Sequence, residues 1–219
     1  MDGVIFDLDG TLLNTVPDLT TAANAMLAHY GCAPITQQDV MAYLGHGLGE
    51  LVRKALPREA NIDAQQALSV FNAAYAHVFT RETQPYPGIK ALVTTLREHQ
   101  VPMAVVSNKA QFFLDKLVDL HFPEHPFVCV IGERADLPRK PDPLGLLSAA
   151  QAMGTFVQQT VLVGDTEVDA QAAFNAGMAI IGVDWGFRPV EALRKAGIQR
   201  ILSHPQEMLE LMDDYAIIK

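Results

Sequence analysis

The chain has little cysteine. Cys32 and Cys129 are the only two in 219 residues. Neither belongs to a CxxC pair, which excludes a disulfide framework and a cysteine-based zinc site. Cys129 lies within the apolar run 127–131 and reads as a small buried hydrophobe. Basic residues are also scarce: 16 Lys and Arg stand against 25 Asp and Glu, a formal net charge of -9. Non-specific nucleic-acid binding needs clustered Lys and Arg, so that partner class is excluded. A small anionic substrate is not, because a metal ion and a few lysines can reverse the field at one site. No apolar run approaches the ~18 residues of a membrane span. The N-terminus enters a strand at once, without the basic start and apolar core of a signal peptide. Internal repeats and low-complexity segments are absent too. The expectation is a soluble protein of the reducing, cytoplasmic compartment, working as a monomer or homodimer.

What is present is apolar: 49% of the residues are hydrophobic, enough for a sizeable core and one or two domains. The sequence is organised around Val4-Ile5-Phe6-Asp7-Leu8-Asp9-Gly10-Thr11-Leu12. The run 4–6 has no polar alternation, as expected of a strand buried on both faces of a parallel sheet. Gly10 permits a sharp turn. Asp7 and Asp9 therefore sit at the C-terminal end of a buried strand, where open α/β sheets place their ligands. Two carboxylates this close repel, and both stay ionised only with a cation between them. An oxygen-only cluster suits Mg²⁺.

After Thr11 the pattern becomes helical. Apolar residues at 19, 22, 23, 26, 27 and 30 predict a helix over 18–30, stopped by Gly31. Thr36-Gln37-Gln38-Asp39 has the form of a capping box and starts a second helix. Gly45-His46-Gly47-Leu48-Gly49 breaks it, and helices are expected over 50–56 and 64–80. No strand is evident from 13 to 84, and Pro85-Tyr86-Pro87-Gly88 marks the return. Strands and helices then alternate, which argues for βαβ units and a parallel sheet. Strands are expected at 101–106, 127–131, 161–163, 178–183 and, at the edge, 200–202. Helices are expected at 89–100, 111–121, 143–153, 168–176, 190–196 and 205–212. The fold class is α/β, a doubly wound parallel sheet. Residues 1–12 and 85–219 form its core, and 13–84 form a helical insertion after the first strand.

Parallel strands point the same way, so their polar ends gather on one rim. Ser107 and Asn108 offer a hydroxyl and an amide suited to phosphate oxygens, or serve as an ordinary N-cap and turn. Lys140 precedes Pro141, which biases it to an extended backbone; Asp142 can cap the next helix and Pro143 suits its first turn. A lysine fixed in this way reads as functional. Asp165 and Asp169 lie four residues apart across a strand end and a helix start. Acidic residues also favour a helix N-terminus for its dipole alone.

As a set these residues resemble the haloacid dehalogenase-like (HAD) hydrolase superfamily over nearly the whole chain. Asp7-Leu8-Asp9-Gly10-Thr11 looks like its first motif, and Val106-Ser107-Asn108 its second. Lys140-Pro141 looks like the third, and Gly164 to Asp169 the fourth. The helical insertion resembles the C1-type cap of the phosphoglycolate-phosphatase-like branch. Gly45-His46-Gly47 with Leu51-Val52-Arg53, and Trp185-Gly186-Phe187-Arg188, are similar to segments of that branch. Asn14 departs from the pattern, since many relatives have Asp there; it lies outside the core constellation.

The resemblance implies a Mg²⁺-dependent phosphatase for a small phosphomonoester, with 2-phosphoglycolate as a candidate. It assigns Asp7 as nucleophile and Asp9 as acid/base. It implies Mg²⁺ held by Asp7, the Asp9 backbone carbonyl and Asp165, and phosphate held by Ser107, Asn108 and Lys140. Asp169 would act from behind the metal ligands, and His46 and Arg53 are candidates for reading the leaving group. The alternatives are a phosphosugar mutase on the same scaffold, a phosphatase for a sugar phosphate or nucleotide, and a binding module without turnover. A metal-free dehalogenase has no use for Asp9 or Asp165.

Overall fold

In the computed structural model, which describes residues 2–211, the run 4–6 lies within strand β1 (Gly3–Phe6), with Val4, Ile5 and Phe6 fully buried. Burying each such side chain stabilises the fold by about 1.5–3 kcal/mol, which is why the strand carries no polar residue. The chain divides into two compact units, residues 1–13 with 85–219 and residues 14–84. The boundaries fall within two short strands, β2 (Leu13–Asn14) and β3 (Gln84–Pro85), which pair with each other.

Residues 14–84 are helical. They form α1 (Val16–His29), α2 (Gln37–Tyr43), α3 (Leu48–Ala55) and α4 (Ala64–Val78). The helix α1 begins two residues before the periodicity suggests, because Pro17 occupies the first turn, where no N–H is needed. Asp18 is buried at its start and accepts hydrogen bonds from the Glu82 and Thr83 N–H groups and the Thr83 hydroxyl, tying the two ends of the unit together. The capping box at α2 is realised by reciprocal Thr36 and Asp39 bonds. Gly47 takes a φ of 85° as it leads into α3, two residues ahead of the expected start.

The remaining residues alternate strand and helix. They form α5 (Ile89–Glu98), β4 (Met103–Ala110), α6 (Gln111–His121), β5 (Cys129–Glu133) and α7 (Leu144–Met153), then β6 (Thr160–Gly164), α8 (Glu167–Ala176), β7 (Ala179–Val183), α9 (Val190–Lys195) and β8 (Arg200–Leu202). Residues 207–211 are helical as well; Met212, the expected end of that helix, lies outside the described residues. The six long-range strands form one parallel sheet in the order β5-β4-β1-β6-β7-β8. The two central strands, β1 and β6, are buried along their length. One layer of the core packs Ile5, Ala104, Val106, Ile131 and Leu162 against Leu146, Ala149 and Ala150 of α7 and Ala172 and Ala173 of α8. Cys129 is only half-buried, contrary to the expectation, because β5 is an edge strand.

Three local departures bear on the site. The strand β4 runs to Ala110 instead of ending at 106, so Ser107, Asn108 and Lys109 lie inside it. Its pairing with β5 shifts register between Val106 and Ala110, and all three residues are buried like the rest of the strand before them. Lys140 lies in a turn closed by a hydrogen bond from Asp142 N–H to Arg139 O, with a cis Lys140–Pro141 peptide. Asp142 accepts from Leu144 N–H at the start of α7, as its capping position suggests.

Candidate active site

The rim is assembled from the ends of three adjacent parallel strands. Asp7 follows β1 and extends its ladder by donating its N–H to Val163 O at 2.9 Å. In the turn beyond, Leu8 O accepts from the Thr11, Leu12 and Leu13 N–H groups. Gly10 has a φ of +86°, and a Cβ there would stand 2.2 Å from Asp165 Oδ2. Both facts demand glycine. The turn thereby brings Thr11 to Asp165, whose Oδ1 accepts the Thr11 hydroxyl at 3.0 Å.

Asp7, Asp165 and Asp169 are buried, and their oxygens lie within 4.8 Å of one another. The Lys140 ammonium, 5% exposed, stands 2.6 Å from Asp169 Oδ1 and 3.0 Å from Asp7 Oδ1. Asp169 is otherwise occupied: its Oδ2 accepts from the Thr166 N–H and hydroxyl in the capping box that opens α8. Gly164 admits that carboxylate, since a Cβ there would lie 2.5 Å from Asp169 Cγ. Asn108 donates its amide to Lys140 O at 2.9 Å, which locks the lysine turn to β4. The Ser107 hydroxyl oxygen accepts from Lys109 N–H at 3.3 Å.

The electrostatics of this cluster are unbalanced. Three buried carboxylates share one ammonium. Burial pushes the Asp7 carboxyl up to about 6, with Asp169 and Asp9 adding to the rise and Lys140 opposing it. Burial, then Asp169 and Asp7, hold Asp165 well above the usual carboxylate range. Burial works against the charged Lys140, but Asp169 and Asp7 outweigh it and raise its pKa. Buried charge without a partner is costly, and these three carboxylates could hold a cation that balances them. The donors are hard oxygens, which fit Mg²⁺ in type.

A family model described as haloacid dehalogenase-like hydrolase matches residues 4–183. The chain belongs to the haloacid dehalogenase-like hydrolases. It is 38% identical to a phosphoglycolate phosphatase of Pseudomonas putida over 198 residues, covering 86% of this chain and 72% of that protein. It is 32% identical to a phosphoglycolate phosphatase of Chromobacterium violaceum, covering 95% of each. A crystal structure from Lactobacillus delbrueckii subsp. bulgaricus, provisionally assigned as a phosphoglycolate phosphatase, superposes with a TM-score of 0.90 at 33% identity, covering 96% of this chain and 97% of that one. The parallel sheet with flanking helices is the α/β architecture of this family.

Of the residues singled out from sequence in this HAD-like chain, Asp7, Lys140, Asp165 and Asp169 form one connected cluster, and Asn108 joins it through the Lys140 carbonyl. The Asp9 side chain is not among the clustered carboxylates. It is held by Lys109, whose buried ammonium lies 3.0 and 3.3 Å from its two oxygens. Lys109 was not among the residues singled out from the sequence; its direct succession to Ser107-Asn108 was the available signal. Phe187 was named only within the family-like segment 185–188 and given no role: its backbone N–H donates to Asp165 Oδ2 at 2.7 Å. No side-chain pattern announces a backbone donor. Tyr86 also borders the cluster, its phenol pushed up by burial and then by Asp165 and Asp9. His46 and Arg53 belong to the helical unit. His46 is exposed, and Arg53 forms a two-pronged pair with Glu50 at 2.8 and 2.6 Å on a side chain that is 61% exposed.

Proposed function

We propose that this protein is a Mg²⁺-dependent phosphatase of small phosphomonoesters, with 2-phosphoglycolate its first candidate substrate. The observation that carries the reading is the buried Asp7, Asp165 and Asp169 cluster with a single lysine among them, at the C-terminal rim of a parallel sheet. The named relatives direct the choice of phosphoglycolate. Asp7, Asp165 and the Asp9 backbone carbonyl would hold the ion, and Asp169 would orient Lys140 beside it. Bound Mg²⁺ would shield the negative charge of the phosphate from the nucleophile.

In this mechanism an Asp7 carboxylate oxygen attacks phosphorus, and the bond from phosphorus to the leaving oxygen breaks. Asp9 delivers a proton to that oxygen. Water then attacks the phosphorus of the aspartyl-phosphate while Asp9 takes a proton from it, which releases phosphate and restores Asp7. Ser107, Asn108 and Lys140 bind the oxygens of the transferring group, where charge must be stabilised. Lys109 orients the Asp9 carboxyl through its contacts to both oxygens. The helical unit, inserted directly after the first motif, acts as the cap that reads the leaving group.

A panel of phosphomonoesters assayed with and without Mg²⁺ tests the proposal. Phosphate release from phosphoglycolate with Mg²⁺, lost on chelation, is the expected result. Release independent of metal, or none from any substrate, overturns it.

A further inference from the structure

Asp165 is held differently from the other acidic groups of the rim. Lys140 reaches Asp169 and Asp7, and Lys109 reaches Asp9. Asp165, 0% exposed, pairs with no Lys or Arg among the described residues. Its two oxygens each accept one bond from a neutral donor: Oδ1 from the Thr11 hydroxyl at 3.0 Å, and Oδ2 from the Phe187 N–H at 2.7 Å. Neutral donors fix the plane of a carboxylate and leave its full charge for a cation, with one lone pair still open on each oxygen.

The segment that supplies Phe187 is tied down on both sides. The Trp185 indole N–H donates to Thr11 O at 3.1 Å, so Trp185 braces the residue whose hydroxyl holds Oδ1. The Arg188 guanidinium grips both carboxylate oxygens of Glu167 at 2.7 and 3.0 Å, two positions beyond Asp165. Between them, Gly186 lies flat against the aspartate. A Cβ at 186 would stand 2.3 Å from Asp165 Cβ, closer than real side chains approach. Residues 185–188 are thus linked to both segments that determine the aim of Asp165.

We propose that the loop 185–188 is a clamp that sets the orientation of Asp165 and thereby the affinity of the cation site, with Trp185 as a built-in reporter of occupancy. This rests on the metal reading above and extends it to four residues that touch neither substrate nor ion. Gly186, Phe187 and Arg188 are positioning residues. Trp185 is the only tryptophan in the chain, and it is joined to Asp165 through Thr11, so displacement of the carboxylate alters its surroundings.

The test uses the full chain stripped of metal, without substrate. Mg²⁺ alone is titrated in and followed by calorimetry and tryptophan fluorescence, for wild type, Gly186→Ala, Arg188→Ala and Arg188→Lys. Partners behind metal ligands typically affect affinity about 10–100-fold. Gly186→Ala is expected at the upper end of that range and Arg188→Ala at the lower. Arg188→Lys recovers only part, because an ammonium cannot bind both oxygens of Glu167 in the same fork. Should Gly186→Ala fail to fold, the Arg188 pair carries the test, since Arg188 reaches Asp165 through Glu167 and its own backbone neighbours. At saturating Mg²⁺ the KM for the phosphomonoester should stay near wild type, a split that general structural damage does not produce. Wild-type binding that survives unchanged in both alanine variants overturns the clamp and leaves the metal site standing. Calorimetric binding without a fluorescence change overturns the reporter. A wild type that binds no Mg²⁺ overturns the metal reading, and the clamp with it.

Discussion

Charged side chains are handled in opposite ways on the strand rim and on helices α2 and α3 of the helical unit. On the strand rim, Asp7, Asp165, Asp169, Lys109 and Lys140 are all buried, and each is held by residues distant in sequence: Lys140 by Asp169, Asp165 by Thr11 and Phe187. In the helical unit, Arg53 pairs with Glu50 one turn away, and Asp39 caps its own helix through Thr36. The Arg53 pair depresses the Glu50 carboxyl to about 2, chiefly through its hydrogen bonds, yet both groups face water. Exposed pairs of this kind contribute little, typically 0–1 kcal/mol. Desolvated charge is expensive, and a fold retains it where chemistry needs it. The contrast sets the buried, long-range charge network of the rim apart from the solvated, local pairs of α2 and α3.

The sharpest way to break this contrast is at the nucleophile. Asp7→Asn should reduce turnover below detection while the protein still folds, because an amide cannot form the phospho-enzyme. Near-normal turnover in this variant would sink the mechanism. Asp9→Asn comes next, with an expected loss on the order of 10²–10⁴-fold for an alkoxide leaving group. The deficit in the phosphorylation step should shrink for a nitrophenolate, which departs without a proton. Equal deficits for the two leaving groups would remove Asp9 as the acid.

The raised carboxyls of the rim supply a subtler test. The Asp7 carboxyl is lifted to about 6 in the folded chain. In the metal-free protein it therefore keeps its proton below that pH, and the cost of ionising it builds between the ordinary value of 3.8 and about 6. Native chains bind more protons than unfolded ones across this window, so this group lowers stability with rising pH. A cation that takes the place of the proton relieves the cost. The rise in Tm caused by Mg²⁺ should therefore grow between pH 5 and 7, because carboxylates must lose their protons to bind a metal ion. A rise that is flat across this range would mean that the cluster does not hold the ion.

The smallest effect is expected in the helical unit. Arg53→Ala should change stability by no more than about 0.5 kcal/mol, because its pair with Glu50 is exposed. If Arg53 reads a substrate carboxylate, kcat/KM should fall for phosphoglycolate and hold for a neutral aryl phosphate. Equal behaviour of the two substrates would leave Arg53 as a solvated helix residue.

Much of the molecule was legible in one dimension because its signals are local. The unbroken apolar run before Asp7 specified a buried central strand, and the helices expected to end at 153 and 176 do so because Gly154 and Gly177 adopt the left-handed conformation that ends a helix. The capping box at Thr36 involves residues three apart and was readable for the same reason. Asp7, Asp165, Asp169 and Lys140 were identified because strand ends converge in any parallel sheet. Which of them bond was decided only by the tertiary structure. The sequence does not say that Lys109 holds Asp9, that Ser107 to Lys109 lie within a strand whose pairing shifts, or that a backbone N–H of Phe187 holds Asp165. Those facts depend on segments up to 174 positions apart, as between Trp185 and Thr11, meeting within hydrogen-bond reach. Side-chain type states what a residue can do; only the packing of the sheet and its loops decides which partner it finds.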